Sequence, residues 1–179
     1  MHIRQATLAD VDPLVTLSKR TFFDAFAADT APTDMELHLA NRFTPEKIEQ
    51  QLTDAQSVFF IAQPTTTPDS SAVGYAQLIR NAPVPNAEPA GKAIELSKLY
   101  VDQAAIGQGY GARLMQTCID YATTQQFSTL WLGVWEHNTR AQTFYRRWGF
   151  APVGTQPFVL GGDVQTDDVW VRAIAPAMP

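Results

Sequence analysis

The N-terminal part of the chain combines a short strand pattern with a helical repeat of apolar residues. Residues 3–6 predict a short strand, and Thr7 and Asp10 then offer side-chain oxygens to the free N–H groups of a helix start. Pro13 is compatible with this helix because the N–H group that a proline lacks has no partner in the first turn. The helix is predicted to end near Ala28, and its apolar residues keep near-helical spacing: Val11, Leu14, Val15, Phe22 and Phe26.

Two short amphipathic stretches follow, before the β-rich part of the chain. They cover residues 33–41 and 45–52, and they begin with Thr33 and Thr44, which resemble helix caps. Two runs of β-forming residues come next, at 58–62 and 73–79, with a polar loop between them. This pattern predicts an antiparallel hairpin.

The second half of the chain alternates strands with helices. A loop at 81–91 has three prolines in eleven residues; it is too stiff and polar for a core, so it is expected to fold over a site or a partner. Strands are predicted at 94–101, 129–134, 151–160 and 169–174, with helices at 111–124 and 139–148. The whole order predicts an α/β (α+β) fold, with a mixed sheet of about six to seven strands and helices on its faces.

Length and composition narrow the class of protein. A chain of 179 residues, 45% of them hydrophobic, can bury one sizeable core, so a single domain over residues 1–179 is expected. Thirteen basic against eighteen acidic side chains leave a formal charge of −5, which argues against nucleic acid as a partner because phosphate backbones require clustered Lys and Arg. Cys118 is the one cysteine, so an internal disulfide and a multi-thiolate metal site are excluded, and no metal site is predicted.

The chain also carries no pattern typical of a membrane or secreted protein. No apolar run approaches the ~20 residues that span a bilayer. The first residues, 1–4, lack the apolar region of a signal peptide. We therefore expect a soluble, cytoplasmic protein.

Three glycines link the strand predicted at 94–101 to the helix that follows. They are Gly107, Gly109 and Gly111, at alternate positions. Without Cβ atoms the backbone there can approach a ligand closely, and the free N–H groups of a helix N-terminus attract an anion such as a pyrophosphate. The turn predicts a site for a diphosphate-bearing coenzyme, although a tight glycine turn without a ligand has the same pattern.

A second motif follows about thirty residues later. Residues 138–150 read Asn-x-x-Ala-x-x-Phe-Tyr-x-x-x-Gly-Phe. Together with the Gly-x-Gly-x-Gly turn, this motif resembles the GNAT acetyltransferases, whose two most characteristic motifs these are. The resemblance covers residues 3–174 and is strongest from Glu95 onward. It implies a GNAT fold, with a pair of strands splayed apart to form an acyl-CoA cleft, and acetyl-CoA as the cosubstrate.

The resemblance also implies roles for individual residues. Leu99, Tyr100 and Val101 match the splayed strand whose backbone groups pair with the pantetheine arm. The residues that match the pyrophosphate turn are Ile106, Gly107, Gln108, Gly109, Tyr110 and Gly111. Asn138 matches a polar contact to the coenzyme, and Tyr145 matches the residue near its sulfur. Ile106 is a departure, since the family turn usually begins with Gln or Arg; because the turn works mainly through backbone N–H groups, weaker binding is the largest expected consequence.

The implied reaction, attack of an amine on a thioester, needs a proton donor and a base. Tyr145, with an unperturbed pKa near ~10, can protonate the departing thiolate; its alternative role is to pack the helix against the sheet. A primary amine is mostly ammonium at neutral pH, so a base must remove a proton. Glu95, at the start of the splayed strand, is the first candidate and Glu136 the second. For Glu95, a solvent-facing or salt-bridged carboxylate is the alternative.

The acceptor and the assembly are indicated by weaker patterns. Residues 134–136 and 158–167 resemble bacterial family members that act on spermidine, spermine and related amines. They imply a small-molecule amine acceptor such as a polyamine; an amine on a protein or peptide is the alternative. The resemblance also favours a homodimer.

The glycine turn is also compatible with two other functions. Residues 107–112 also satisfy a permissive dinucleotide fingerprint, typical of nicotinamide and flavin enzymes. In that fold, however, the glycines usually follow the first strand directly. A GNAT-like domain could also bind acyl-CoA as a sensor without catalysis, although the presence of both Tyr145 and Glu95 argues against this.

Overall fold

A computed structural model of the chain describes residues 1–67, 70–89 and 91–175. These residues form seven strands and five α-helices. In chain order the elements are β1 (His2–Gln5), α1 (Val11–Phe26), α2 (Pro32–Arg42), α3 (Pro45–Thr53), β2 (Ser57–Gln63), β3 (Gly74–Arg80), β4 (Ala93–Val101), α4 (Tyr110–Thr124), β5 (Thr129–Trp135), α5 (Thr139–Arg147), β6 (Ala151–Leu160) and β7 (Asp163–Ala173).

The helix starts follow from local side-chain chemistry. Thr44 caps α3 and accepts a backbone N–H at 3.3 Å, as predicted. Ahead of α1, the Asp10 carboxylate accepts the Thr7 N–H at 2.8 Å and stabilises a short 3-10 turn. The prediction of Thr33 as a cap was wrong. Helix α2 already begins at Pro32, whose missing N–H has no cost in the first helical position.

The seven strands form one mixed sheet, which confirms the predicted architecture. Its order is β1-β2-β3-β4-β5-β7-β6, and every neighbouring pair is antiparallel except β4 and β5. A parallel pair needs a crossover connection, and α4 provides it. The loop between β2 and β3 includes residues 68–69, which lie outside the described residues.

Helices cover both faces of the sheet, as predicted. Helix α4 buries Leu114, Met115 and Cys118 against one face, where α5 also packs. Helices α1 and α3 cover the other face, with Leu14 and Ile48 against the apolar side chains of β2 and β3. The sheet is therefore held between two well-packed layers of helices.

The proline-containing loop packs on the sheet, next to strands β5 and β7. Its residue Val84 packs against Trp131 and Val169. The Trp131 indole donates a hydrogen bond to the Ala82 carbonyl at 3.2 Å. The loop, whose residue 90 lies outside the described residues, thus covers part of the sheet, and none of its described residues lines the cleft.

Strands β4 and β5 separate soon after they begin. Only three residue pairs join them, the last of which is Glu95 with Trp131. The register of β4 against β3 shifts where Gln77 pairs with Lys98 and the next residue of β3 pairs with Leu96. This leaves Ser97 as an extra residue in β4, and such a bulge bends a strand and increases its twist. The predicted splay therefore has a local cause in the pairing of β4.

The last strand is longer than predicted. We expected it at 169–174, but β7 begins at Asp163. The polar residues at 163–168 have the composition of a loop, yet their backbone groups pair with β6 on one side and, from Asp167 onward, with β5 on the other. The predicted start was wrong because hydrogen bonding from two neighbours holds a polar segment in a strand.

Candidate active site

The separation of β4 from β5 opens a cavity of about 1010 Å³. It is bordered by β4, the start of α4, the end of β5, and helices α1 and α5. All predicted coenzyme residues except Gln108 line it, namely Leu99, Tyr100, Val101, Ile106, Gly107, Gly109, Tyr110, Gly111, Asn138 and Tyr145. Two segments distant in sequence thus meet in one cleft.

The glycine turn has the backbone that the sequence predicts. Gly107 and Gly109 adopt positive φ angles of +83° and +87°, a region that favours glycine. No atom lies within 4 Å of the position that a Cβ would take at Gly107. Gly109 directly precedes α4 and offers no side-chain cap, so the first N–H groups of that helix are free for an anion. Gln108 turns back instead, and its amide donates to the Ala104 carbonyl at 2.9 Å.

Helix α5 adds polar and cationic groups to the same cleft. Asn138 caps this helix, and its side-chain oxygen accepts the Ala141 N–H at 3.0 Å. Its amide nitrogen is thereby left as the group available to a ligand. Arg140 and Arg147 also line the cavity. The sequence analysis did not single them out, although their spacing places both on one side of a helix, where they favour phosphate groups.

Tyr145 lies in the cleft with its ring packed against aromatic neighbours. Its ring centroid is 5.5 Å from that of Phe144 and 5.8 Å from that of Phe150. Burial raises the pKa of the Tyr145 phenol well above its ordinary value. The phenol therefore keeps its proton at neutral pH and can act as a donor.

Aromatic side chains form a wall on the side of the cleft next to α1. We call this the aromatic wall, and its members are Phe22, Phe26, Tyr100, Trp135 and Phe158. Phe26 meets Trp135 edge-on at 6.2 Å, and Phe22 lies 6.3 Å from Tyr100. Tyr100 also stacks on Tyr75 at 5.7 Å. Aromatic rings in the lining of a cavity can attract organic cations, because their faces are electron-rich.

A carboxylate that the sequence analysis did not select lies in the same cleft. Asp167 of β7 lines the cavity and pairs across strands with Trp135. Burial and the charge of the neighbouring Asp168 raise the pKa of Asp167 to about 6. The residue lies in the segment 158–167 that carried the resemblance to polyamine enzymes, and that was the one signal in the sequence.

The two predicted base candidates lie outside the cavity lining. Glu95 is half-buried in the last residue pair before the splay. Burial raises the pKa of Glu95, and a hydrogen bond with Ser97 and the charge of Lys98 partly offset this. Glu136 does not line the cleft; 45% of its side chain is exposed, and the His137 ring nitrogen lies 3.9 Å from its carboxylate.

Lys98 is a half-buried cation that also lines the cleft. Its ammonium donates to the Gln77 side chain and, at 3.5 Å, to that of Gln51. Burial is the main cause that lowers the pKa of Lys98 to about 8; the charge of Glu95 opposes this shift, and the charge of Arg42 contributes to it. Both hydrogen-bond partners lie on the β3 and α3 side, which holds the ammonium away from the aromatic wall.

Within residues 1–67, 70–89 and 91–175, no helix is long and apolar enough to cross a membrane. The same residues contain no group of three or more His, Cys, Asp or Glu side chains that could hold a metal ion.

Comparison with known proteins identifies the family. The sequence model of the acetyltransferase (GNAT) family matches residues 20–150. An uncharacterized N-acetyltransferase of Lactobacillus delbrueckii subsp. lactis is 30% identical over 175 residues, which is 97% of this chain and 98% of that protein. An uncharacterized N-acetyltransferase of Mycobacterium tuberculosis (strain ATCC 25618 / H37Rv) is 32% identical over 167 residues, covering 93% and 99% of the two chains.

Solved structures agree with this result at the level of the fold. The PaiA N-acetyltransferase from Thermoplasma acidophilum, in complex with coenzyme A, superimposes with a TM-score of 0.77 at 18% identity, over 96% of this chain and 98% of that one. A probable acetyltransferase from Staphylococcus epidermidis ATCC 12228 gives 0.74 at 18% identity, over 97% and 99%. The family match covers most of the chain, and the cleft offers a glycine turn and cations suited to the phosphates of a coenzyme. The chain therefore belongs to the acetyltransferase (GNAT) family and is an acetyl-CoA-dependent N-acetyltransferase.

Proposed function

We propose that the enzyme acetylates a primary amine of a small cationic acceptor, of the polyamine type, by direct attack in a ternary complex. The observation that carries this proposal is the splay of β4 from β5, which leaves one cleft with two chemically different sides. One side has free helix N–H groups and arginines. The other side has the aromatic wall.

Support for a cationic acceptor comes from the aromatic wall and from charge. Ammonium groups bind to the faces of aromatic rings, and more strongly where water is excluded. Asp24 on α1 also lines the cleft near the wall. The formal charge of −5 favours the approach of a cation in general. A long flexible amine could lie along the wall with its charges on rings and carboxylates.

For the acid role we propose Tyr145. When the acceptor nitrogen bonds to the acetyl carbon, the carbon–sulfur bond breaks and the sulfur leaves as a thiolate unless it is protonated. Tyr145 lies in the cleft with its proton retained, so it can supply that proton. Backbone N–H groups of β4 that no longer pair with β5 can stabilise the oxyanion that develops on the acetyl oxygen.

For proton removal we propose Glu95, acting through water. Its side chain does not line the cleft, so direct contact with the acceptor is not expected. Glu95 belongs to the last residue pair before β4 and β5 separate. Its raised pKa makes it a better proton acceptor than an ordinary carboxylate. Substitution of Glu95 by Gln should therefore lower kcat and leave the KM for the acceptor almost unchanged.

The proposal is tested by measuring thiol release from acetyl-CoA with a panel of spermidine, spermine, diamines, amino acids and lysine peptides. Release on the cationic amines above all others is the expected result. Selective release on amino acids or lysine peptides would replace the polyamine assignment by that class. Tight binding of acetyl-CoA without release on any amine would instead indicate a sensor.

We propose that residues 1–179 form one acetyltransferase domain. We also propose that two copies of the chain form a homodimer, and analytical ultracentrifugation tests this assembly. A cytoplasmic location stays a prediction, which fractionation of cells that produce the protein would check.

A further inference from the structure

We propose that Asp167 binds an ammonium group of the acceptor and thereby selects cationic amines over uncharged nucleophiles. This inference rests on the proposed function and deepens it, since it assigns acceptor recognition to one side chain. Four observations carry it: the position of Asp167, the room that Gly133 leaves for it, its lack of a partner, and its neighbours.

The position of Asp167 follows from the register of the sheet. Strand β7 pairs with β5 from Asp167 to Ala173, and Asp167 pairs with Trp135 at the end of β5 that borders the cleft. Side chains alternate along a strand, so Asp167 lies on the same face as Val169, which packs under the proline-containing loop, and opposite Trp170, which packs under α4. This face of β7 is the one that continues into the aromatic wall.

Gly133 makes room for the carboxylate above β5. A Cβ at Gly133 would lie 3.1 Å from Asp167 Oδ2 and 2.7 Å from Gln156 Nε2. Any larger residue would therefore push both side chains out of place. The glycine at position 133 of β5 therefore leaves room for the Asp167 carboxylate, and both residues line the cleft.

Among the described residues, the Asp167 carboxylate forms no ion pair and no side-chain hydrogen bond, although the residue is half-buried. The amide of Gln156, which pairs with Asp167 across strands, lies nearby without bonding to it. A buried charge without a partner is costly. A cation that enters the cleft would supply the missing partner.

The neighbours of Asp167 share the cleft with the proposed proton donor. Asp167, Tyr145 and Tyr100 of β4 all line this one cavity. Asp167 also pairs across strands with Trp135 of the aromatic wall. An amine held by Asp167 against Trp135 and Phe26 would lie beside the splay, where the acetyl group is expected.

The test compares Asp167→Asn with Asp168→Asn. Both substitutions remove one negative charge, but Asp168 lies on the opposite face of β7 and does not line the cleft. Acceptor KM and kcat are measured with spermidine and with hydroxylamine, a small nucleophile that is uncharged at mildly alkaline pH. Binding of coenzyme A to each variant is measured by calorimetry.

We expect Asp167→Asn to raise the KM for spermidine about 10- to 100-fold, the loss that accompanies one charge-assisted hydrogen bond. The rate with hydroxylamine and the affinity for coenzyme A should change less than about 3-fold, and Asp168→Asn should behave like the wild type. An unchanged KM for spermidine would overturn the inference, as would an equal loss on both nucleophiles. A wild-type enzyme that binds coenzyme A but acetylates no amine would instead overturn the proposed function.

Discussion

Tyr145 has the two properties that a proton donor in this cleft needs. It lines the cavity, and burial raises its pKa so that it is protonated at neutral and mildly alkaline pH. We expect Tyr145→Phe to lower kcat about 100-fold, because general acid catalysis contributes on that scale, with little change in the KM for acetyl-CoA. Thiol release at saturating substrates measures the effect.

Tyr121→Phe is the matched control for this experiment. Tyr121 is also a tyrosine on a helix, but its hydroxyl accepts hydrogen bonds from Arg80 and does not line the cleft. This variant should keep the wild-type kcat. A kcat within about 2-fold of the wild type for Tyr145→Phe would remove the acid role and leave Tyr145 as a packing residue.

Asp167 should make the stability of the fold depend on pH. Its pKa rises to about 6 on folding because of burial and the charge of Asp168, so the folded state favours the protonated carboxyl. Stability from this group is present below the unfolded pKa of ~3.9 and is lost as the pH rises through about 6. Asp167→Asn should therefore be more stable than the wild type at pH 8, by about 1 kcal/mol because the carboxylate is partly in water.

Thermal unfolding of both proteins at several pH values checks this expectation. The difference in melting temperature should vanish at acid pH, where both side chains are uncharged. A variant that is less stable at alkaline pH would mean that the carboxylate has a stabilising partner. The combination of higher stability with lower activity would be typical of a residue kept for function.

The hairpin between β6 and β7 docks on the start of α2 through its turn. The Gly162 N–H donates to Asp34 Oδ1 at 2.7 Å, and a Cβ at Gly161 would lie 2.6 Å from Asp34 atoms. Gly161 also has a φ of +63°. We expect Gly161→Ala to destabilise the fold by about 3 kcal/mol, because it adds a steric clash to the cost of a left-handed alanine.

Gly149→Ala separates the two contributions. Gly149 has a φ of +78°, but no atom lies within 4 Å of its Cβ position. This variant should lose only about 1–2 kcal/mol, the cost of the backbone conformation alone. Chemical denaturation measures both values. Equal losses for the two variants would show that the contact between the hairpin and α2 contributes little.

The elements that the sequence predicted well are those with a local signal. The repeat of apolar residues in α1 and the Thr44 cap depend on neighbours within a few positions, and both were confirmed. The start of β7 was missed because Asp163 and its polar neighbours are held by pairing with β6, a strand whose partners sequence periodicity does not reveal. Periodicity reports burial of a face, and residues 163–168 are exposed or half-buried on both faces.

The same distinction applies to the candidate site. The glycine turn and the motif on α5 were predicted because each lies within a few residues of the chain, and the structure brings both to one cavity. Asp167 was not predicted, since it reaches the cleft only through the register of β7 on β5. Arg140 and Arg147, like the glycine turn, have a local signal: both line the cavity, and their spacing along α5 could have predicted this.

On the scale of the whole molecule, the cleft divides the sheet into two parts. Strands β1 to β4 form one part and β5 to β7 the other, and three residue pairs join β4 to β5. Helix α4 connects the two parts and packs on both. A ligand that contacts β4, the glycine turn and α5 together would therefore add a second connection, since these segments belong to both parts.

Coenzyme binding should accordingly stabilise the fold as a whole. A ligand at about 100 times its Kd adds about 2.7 kcal/mol to the free energy of unfolding, which for a chain of this size corresponds to a rise in melting temperature of about 5–10 °C. When the coenzyme binds, amide hydrogen exchange should slow at β4 and the glycine turn. It should slow to the same extent at β5 and α5. Protection confined to residues 106–113 would mean that the ligand contacts the turn alone. Arg140→Gln should reduce both effects, because Arg140 lines the cavity and its guanidinium can form charge-assisted hydrogen bonds with a phosphate.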